Sequence, residues 1–529
     1  MPRTSAENDF QVGIFRNFRQ LWTNSFPESR KTPSQILFPL HARFKSDRLL
    51  VPNKILPMIT MSSIRLSTRW FLSVLGLLIM LIANSFGAAA PDARFDWFHK
   101  AKVGMFIHWG PYSIAAGEWK GKQGNRDAHL MNEFRIPLDE YKQLAGTFDP
   151  KAFDADGLAK LAEESGLQYI VYVSKHHDGF AMFDSPSSDY DMVDATPFKR
   201  DPLKELAEAC QKHGLKLCVY YSLGRDWSVP GVPRGGRRCN DWDFPNPPAS
   251  AQKDYINGKV KPQLRELLTQ YGPIGAVWFD TPDQISSEHS AELRKFILAL
   301  QPDCLINARI GNNFGDYDIH EQKIPETAIH RPWEACLTIN RRWGYDKNDH
   351  QWKSPEMIVR CLVDVASKGG NFLINIGPTG LGEVPAPSIE RLHALGDWLA
   401  VNGESIRGTT ASHLAAADTQ GIVFQEINAD GSEKHLDASG AAKSHEAALP
   451  RGWRSTSKPG ILYLHLFEQP EKGAFALKGL TQKVRKVTML ADLQARALEF
   501  TQKGGEFSVA LVPGIWDKRA TVLKLEIEE

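Results

Sequence analysis

Six cysteines in 529 residues, none of them paired in a CxxC spacing, argue against the two constructions that cysteine usually signals, a zinc knuckle and a dense disulfide scaffold. They fall at Cys210, Cys218, Cys239, Cys304, Cys336 and Cys361, which leaves room for at most an isolated bridge. Net charge is as scarce as cysteine. The 63 Lys and Arg nearly cancel the 62 Asp and Glu, so neither nucleic acid nor an anionic membrane surface is expected as the main partner. The early segment VGMFIHWG (103–110) is not a glycine-rich phosphate turn, which tells against a doubly wound nucleotide-binding sheet. No internal repeat or low-complexity tract stands out. The apolar run Trp70 to Ala83 is short of the roughly 20 residues a membrane span requires.

What is present is a long chain with several distinct grammars. Residues 1–60 have no sustained apolar period and read as an extension upstream of the true start, with Met61 (or Met58) as the initiator. Residues 61–90 then follow the order of a secretory signal: Arg65 and Arg69, the apolar run, and a small-residue exit at Gly87 to Ala90. The expectation is export to the periplasm or the extracellular space, with no stable membrane insertion after cleavage; a single-pass anchor is the competing reading. From 91 to 404 strand-like and helix-like segments alternate, as a parallel α/β fold requires. Strands are expected at 103–109, 169–173, 217–222, 276–279, 305–309, 336–339 and 372–376, and helices at 154–164, 202–213, 251–270, 354–367 and 388–402. This suits a (β/α)8-like barrel. From 405 to 529 short alternating runs predict an antiparallel β-sandwich, with strands at 461–467, 474–477, 484–490, 497–500, 507–512 and 521–527.

The candidate chemistry lies at the ends of the barrel strands. In YGPIGAVWFDTPD (271–283) an apolar strand stops on Asp280, at the edge where barrel loops gather catalytic groups; the plainer reading is that Asp280 caps the next helix. The other strand ends and their loops supply His108, Glu118 and Trp119, His176 and His177, Tyr220, Tyr221 and Trp227, Arg309, Glu321, Glu334 and Trp343. One such residue means little, since a histidine beside a tryptophan is usually a hydrogen-bonded core residue. A whole rim of them at one edge is the signature of a site. Two chemistries could use it. A metal hydrolase would hold zinc or manganese through His108, His176, His177 and Asp280, but adjacent histidines are neither HxH nor HExxH, and neighbours on a strand point to opposite faces. Glycoside hydrolysis needs two carboxylates and donors for sugar hydroxyls, and the 14 Trp lean mildly the same way because aromatic faces stack on pyranose rings. A non-catalytic secreted sugar-binding protein is the third class.

The segments WFHKAKVGMFIHWG (97–110), SKHHDGF (174–180), VYYSLGRDW (219–227), VWFD (277–280), INAR (306–309), RPWEACLTINRRWGY (331–345) and GGNFLINIGPTGLGEVP (369–385) together resemble the α-L-fucosidases of glycoside hydrolase family 29. The likeness spans about Phe95 to Asn402, and the trailing sandwich resembles that family's second domain. It implies a retaining exo-acting enzyme on fucosylated oligosaccharides or polysaccharides, with Asp280 as nucleophile and with no metal or other cofactor. It further implies a fucose pocket lined by His108, Glu118, Trp119, His176, His177, Tyr220, Trp278 and Arg309, with Trp343 closing over the sugar's methyl side. The same resemblance points to Glu321 as acid/base, about a dozen residues beyond Arg309, with Glu334 as the rival. The intact WEACLTINRRWGY segment resembles the broader-specificity branch. Thr281 and Pro282 stand where many members have glycine, a departure expected to reshape the site beyond the fucose. Oligomeric state is left open.

Overall fold

A computed structural model describes residues 92–414, 422–424, 426–427, 433–434 and 449–528. The expected extension and export signal, 1–90, lie outside the described residues. Eight parallel strands make the main sheet: β1 (Val103–Ile107), β2 (Tyr169–Lys175), β3 (Lys216–Ser222), β4 (Ile274–Asp280), β5 (Leu305–Ile306), β6 (Asp318–Glu321), β7 (Trp333–Thr338) and β8 (Asn371–Ile376). Their order is β5-β4-β3-β2-β1-β8-β7-β6. The two end strands meet at one parallel bridge, Asn307 to Tyr317, with Ala308 N donating to Tyr317 O at 2.7 Å. The sheet therefore curls into a barrel whose seam lies between β5 and β6.

Nearly every strand position is buried, as expected when helices cover one face and the barrel interior fills the other. Alternation sorts the residues. Phe106, Val171, Tyr220, Trp278, Cys336 and Leu373 fill the interior, while their neighbours Ile107, Tyr172, Tyr221, Phe279, Leu337 and Ile374 pack beneath the outer helices. Gly104 is imposed by this filling, because a Cβ there would lie 2.4 Å from the Tyr169 ring.

The helices begin where their caps allow. Asp154 accepts from Gly157 N ahead of α1 (Ala155–Glu164), Asp201 accepts from Leu203 N and Lys204 N ahead of α2 (Pro202–Lys212), and Ser354 accepts from Met357 N ahead of α5 (Pro355–Ser367). The expected helix 251–270 forms with a π turn at Ile256–Val260 before α3 (Lys261–Gln270). Pro262 follows that turn and has no N–H to donate, which loosens the ladder there. α4 (Ser287–Leu300) was not expected; only Leu293 and Ile297 carry its buried apolar stripe, too thin a pattern to read. α6 (Ala386–Asn402) closes the barrel segment.

The C-terminal strands β9 (Thr410–Ala411), β10 (Trp453–Lys458), β11 (Ile461–Leu466), β12 (Ala474–Lys478), β13 (Val484–Met489), β14 (Phe500–Lys503), β15 (Glu506–Ala510) and β16 (Thr521–Ile527) form two antiparallel sheets, ordered β9-β10-β11-β16-β13 and β12-β15-β14. Leu462, Leu464, Phe475, Phe507, Val509 and Leu523 pack in their shared core. The strand expected at 497–500 runs instead from Phe500 to Lys503. β10 (WRSTSK) escaped detection because its buried positions include Ser455 and Thr456. These sheets dock on α5 and α6, on the outside of the barrel. Arg360 donates to the carbonyls of Pro450 (3.1 Å), Phe467 (2.8 Å) and Lys518 (2.9 Å). Buried Asp364 pairs with Arg454 and with Lys368 (2.8 Å), and Trp398 Nε1 donates to Ala520 O at 2.8 Å.

Candidate active site

Asp280 is the last residue of β4 and faces inward, one alternation above Trp278. Its position is stitched from the neighbouring strand: Asn307 Oδ1 accepts from Phe279 N (3.0 Å) and Asn307 Nδ2 donates to Phe279 O (2.9 Å). Asp280 Oδ1 accepts from Arg309 Nη1 (2.5 Å) and from Thr281 N (2.8 Å); Oδ2 accepts from the Tyr220 hydroxyl (2.8 Å), with His177 Nε2 3.7 Å away. Burial pushes the Asp280 carboxyl upward, but the charge of Arg309, the Tyr220 hydrogen bond and the charge of Arg225 outweigh it and hold the group below the usual carboxylate range. A helix-capping role for Asp280 is not what the geometry gives, because α4 is capped by Ser286.

Arg309 does not continue β5 as the sequence suggested. The strand ends at Ile306, and Arg309 sits in a single 3₁₀ turn, Ala308–Ile310, at the barrel seam. From there its Nη2 donates to Glu321 Oε2 at 2.5 Å, so one guanidinium holds two carboxylates side by side. Glu321, read from sequence as part of a loop, ends a strand of its own, β6, with its side chain 36% exposed at the rim.

Around Asp280 the cavity wall is made by His108, His176, His177, Tyr220, Trp278, Arg309, Glu321 and Trp343, and its volume is about 240 Å3. That is below the roughly 300 to 1,000 Å3 of drug-sized sites and suits one small ring. His108 and His176 flank Tyr220, whose ring stacks on His176 (5.6 Å, 12°) and on Trp278 (5.5 Å, 22°). Trp343 lies 4.9 Å from His108, its carbonyl accepting from Asn375 Nδ2 (2.6 Å) while Asn375 Oδ1 meets His108 Nδ1 (2.7 Å). His177 Nδ1 meets Ser222 Oγ at 2.6 Å. Burial drives His108 down to about 4, and His176 and His177 well below the ordinary imidazole value, so all three are neutral and able both to donate and to accept. His176 Nδ1 has no protein partner, though buried.

The argument that adjacent histidines must face apart does not apply here. β2 ends at Lys175, so His176 and His177 occupy the turn beyond it, their rings 4.1 Å apart and both on the cavity. Beneath them Asp178 accepts from Tyr141 Oη (3.0 Å), and Lys175 pairs with Asp226 (2.8 Å). Gly179, at φ +78°, must be glycine, since a Cβ would fall 2.2 Å from Asp226 Oδ1. Among the described residues one trio, His129, His176 and His177, could present ligand atoms to one ion, within 4.8 Å of one another. Arg126, Arg225 and Arg238 line the same cavity, and the field of Arg225 that helps to depress the imidazoles of His129, His176 and His177 also opposes a cation there.

Three residues named from sequence stand apart from this wall. Glu118 pairs with Lys347 (2.9 Å), and Trp119 packs beside Leu130, Met131 and Tyr141. Glu334 is the second residue of β7, because that strand starts at Trp333 rather than at Cys336. Its side chain therefore points into the lower barrel, buried, where it accepts from Tyr169 Oη (2.5 Å) and Trp278 Nε1 (2.9 Å), and burial pushes it up to about 7. Tyr221 and Trp227 are buried behind the wall, Tyr221 Oη bonded to Gln263 and the Trp227 ring 5.5 Å from His177. Conversely Arg126, His129, Arg225, Arg238 and Asp283 belong to the cavity and were not singled out from sequence. Two signals were available: RDW at 225–227 and DTPD at 280–283 both continue past a strand end. The six cysteines are all buried and free.

Comparison with known proteins bears on this arrangement. A family model described as Alpha-L-fucosidase matches residues 88–404. The plasma alpha-L-fucosidase of Rattus norvegicus is 32% identical over 337 residues, covering 59% of this chain and 70% of that protein. Among solved structures, the alpha-L-fucosidase from Vibrio sp. strain EJY3 aligns with a TM-score of 0.71 at 32% identity over 83% of this chain and 73% of that one. A family 29 alpha-L-fucosidase from Bacteroides thetaiotaomicron, solved as a trapped covalent intermediate with 2-fluoro-fucosyl fluoride, aligns with a TM-score of 0.69 at 25% identity over 83% of this chain and 97% of that one.

Proposed function

Because this chain belongs to the alpha-L-fucosidase family, we propose that Asp280 and Glu321 are the carboxylates through which it releases terminal L-fucose from glycans. The chain is a glycoside hydrolase of the retaining type, and a covalent intermediate in a structural neighbour is the expected consequence of double displacement. The observation that carries the residue assignment is the shared guanidinium. Arg309 keeps Asp280 ionised and holds Glu321 within one guanidinium's width of it, whereas an inverting pair needs the roughly 6.5 to 9.5 Å that seats a free water.

In the first step an Asp280 oxygen attacks C1, the C1–O bond to the leaving sugar breaks, and the Glu321 carboxyl gives its proton to that oxygen. In the second, Glu321 takes a proton from water, which displaces Asp280 from C1. Oδ2 carries one short hydrogen bond against two on Oδ1, so it is the oxygen with a lone pair to spare. Neutral His108, His176 and His177 suit the sugar hydroxyls, and Trp278 and Trp343 suit its apolar face. The inward burial of Glu334 beneath Trp278 favours Glu321 over it as the acid. Chemical assignment of the first-formed anomer by proton NMR, on an aryl α-L-fucoside, tests the mechanism; β-fucose as the first product would overturn it.

The segment 61–90 supports export, with the catalytic barrel at 91–404 and the sandwich at 405–529. Sequencing the mature amino terminus of the exported protein tests this, and residues 1–60 found on it would refute it. Among the described residues no helix is long and apolar enough to cross a membrane.

A further inference from the structure

The cavity wall contains more positive charge than the two catalytic carboxylates need. Four arginines line it (Arg126, Arg225, Arg238 and Arg309) against three carboxylates (Asp280, Asp283 and Glu321). Arg309 is shared between Asp280 and Glu321. The other three guanidiniums, brought by the loops after β1 and β3, are left with Asp283 as the one further acid in the wall.

Their placement is built rather than incidental. Arg225 is buried and donates through Nη2 to Asp283 at 2.7 Å, while its Nε, also buried, has no protein partner. Arg126 Nη1 donates to His129 Nδ1 at 3.4 Å. Arg238 follows two residues after the exposed Gly236 turn, yet its side chain reaches the cavity, and its backbone carbonyl is fixed by Trp227 Nε1 at 2.9 Å. Burial and the repulsion of Arg225 and Arg126 lower the affinity of the Arg238 guanidinium for its proton. The loop bearing Asp283 is locked to the loop bearing Arg225 by Leu223 N to Asp280 O (2.9 Å) and Gly224 N to Thr281 O (2.7 Å). Gly224 permits that approach, since a Cβ would lie 2.4 Å from Thr281 O. Thr281 itself holds φ +50°, the left-handed region that glycine enters freely, and Pro282 and Asp283 follow from it along the cavity wall.

Like charges held together in a partly desolvated wall are costly unless an anion joins them. The planar fork of arginine fits the flat or tetrahedral oxyanions of carboxylate and sulfate better than it fits hydroxyls. We infer that the glycan accepted here bears an anionic substituent, a sulfate ester or a carboxylate, gripped by Arg126, Arg225 and Arg238 beside the fucose pocket. This rests on the fucosidase reading and specifies its substrate class. The substituent is carried either by the fucose ring or by the sugar next to it.

Both sources are separable with matched substrates: a neutral aryl α-L-fucoside, the same fucoside sulfated on the fucose ring, and fucosyl disaccharides whose leaving sugar is neutral, sulfated or a uronic acid. The wild-type enzyme is expected to show kcat/KM roughly tenfold or more higher for at least one anionic member than for its neutral partner. That ratio should shrink as salt is raised, fall about tenfold in Arg238→Gln, and recover partly in Arg238→Lys. The anionic arm that shows the preference identifies which sugar carries the group. A ratio at or below one for every anionic pair in the wild type, or a ratio indifferent to both Arg238 variants, overturns the inference while hydrolysis of the neutral fucoside continues. Failure of the wild type on every fucoside would instead overturn the fucosidase reading itself.

Discussion

Replacing Glu321 and Glu334 in parallel separates chemistry from architecture. Glu321 sits at the rim, 36% exposed, with one ion pair to Arg309, so Glu321→Ala should cost no more than about 1 kcal/mol of stability. As proton donor, however, it should matter in proportion to how badly the leaving oxygen needs a proton. Loss of kcat/KM is expected to be roughly 10²- to 10⁴-fold for a sugar leaving group and only a few-fold for dinitrophenolate, which departs unprotonated. Glu334→Ala should behave in the opposite manner. It strands two buried donors, Tyr169 Oη and Trp278 Nε1, at about 1 to 3 kcal/mol each, or roughly 2 to 6 kcal/mol in all. In a domain of this size that is on the order of ten degrees of Tm. Its activity loss should be similar for both substrates. The assay is kcat/KM, which reports the fucosylation step alone, across fucosides of graded leaving-group acidity, beside thermal unfolding of each variant. Leaving-group dependence in Glu334→Ala and none in Glu321→Ala would refute the assignment.

Asp280→Gly should abolish turnover, and azide should restore it with β-L-fucosyl azide as product, identified by NMR; unaided turnover in that variant excludes Asp280 as nucleophile. Burial holds His465, in the C-terminal sheets, down to about 4. Between pH 6.5 and 4 the unfolded chain binds a proton that folded His465 refuses, so wild type should lose stability relative to His465→Gln by up to about 1.4 kcal/mol per unit as pH falls. Urea midpoints taken at pH 7 and pH 5 check this, and a difference that does not move with pH refutes it. Asp364→Ala would leave Arg454 and Lys368 buried without their shared carboxylate. A loss of about 3 to 5 kcal/mol is expected in chemical denaturation, with kcat of the folded fraction unaltered; a change under 1 kcal/mol would mean that the charges find other partners.

Long, uniformly apolar strands were legible because a barrel buries both faces: β1, β2, β3 and β8 were read within a few residues, as were the helices that open on Asp201 or Ser354. The seam was not. β5 has only two strand residues and β6 reads DIHE, with every position half-exposed, so neither periodicity nor hydropathy marks it. Side-chain direction was the second blind spot. Whether Glu334 faces the rim or the barrel floor depends on β7 starting at Trp333, three residues before the apolar run suggested. The arginines of the wall were missed for a related reason: Arg126 and Arg238 lie many residues beyond their strands, and loop excursions of that length leave no pattern in the chain.

The seam gives the two carboxylates unequal foundations. Asp280 stands on a strand hydrogen-bonded on both sides, while Glu321 stands on the last strand of the sheet, beyond a junction of one bridge. Lengthening or rerouting residues 310–317 would relocate the proton donor and leave the attacking oxygen where it is. The same scaffold can thus be retuned to bulkier or differently linked leaving sugars by editing one hinge, without rebuilding the floor on which bond formation occurs.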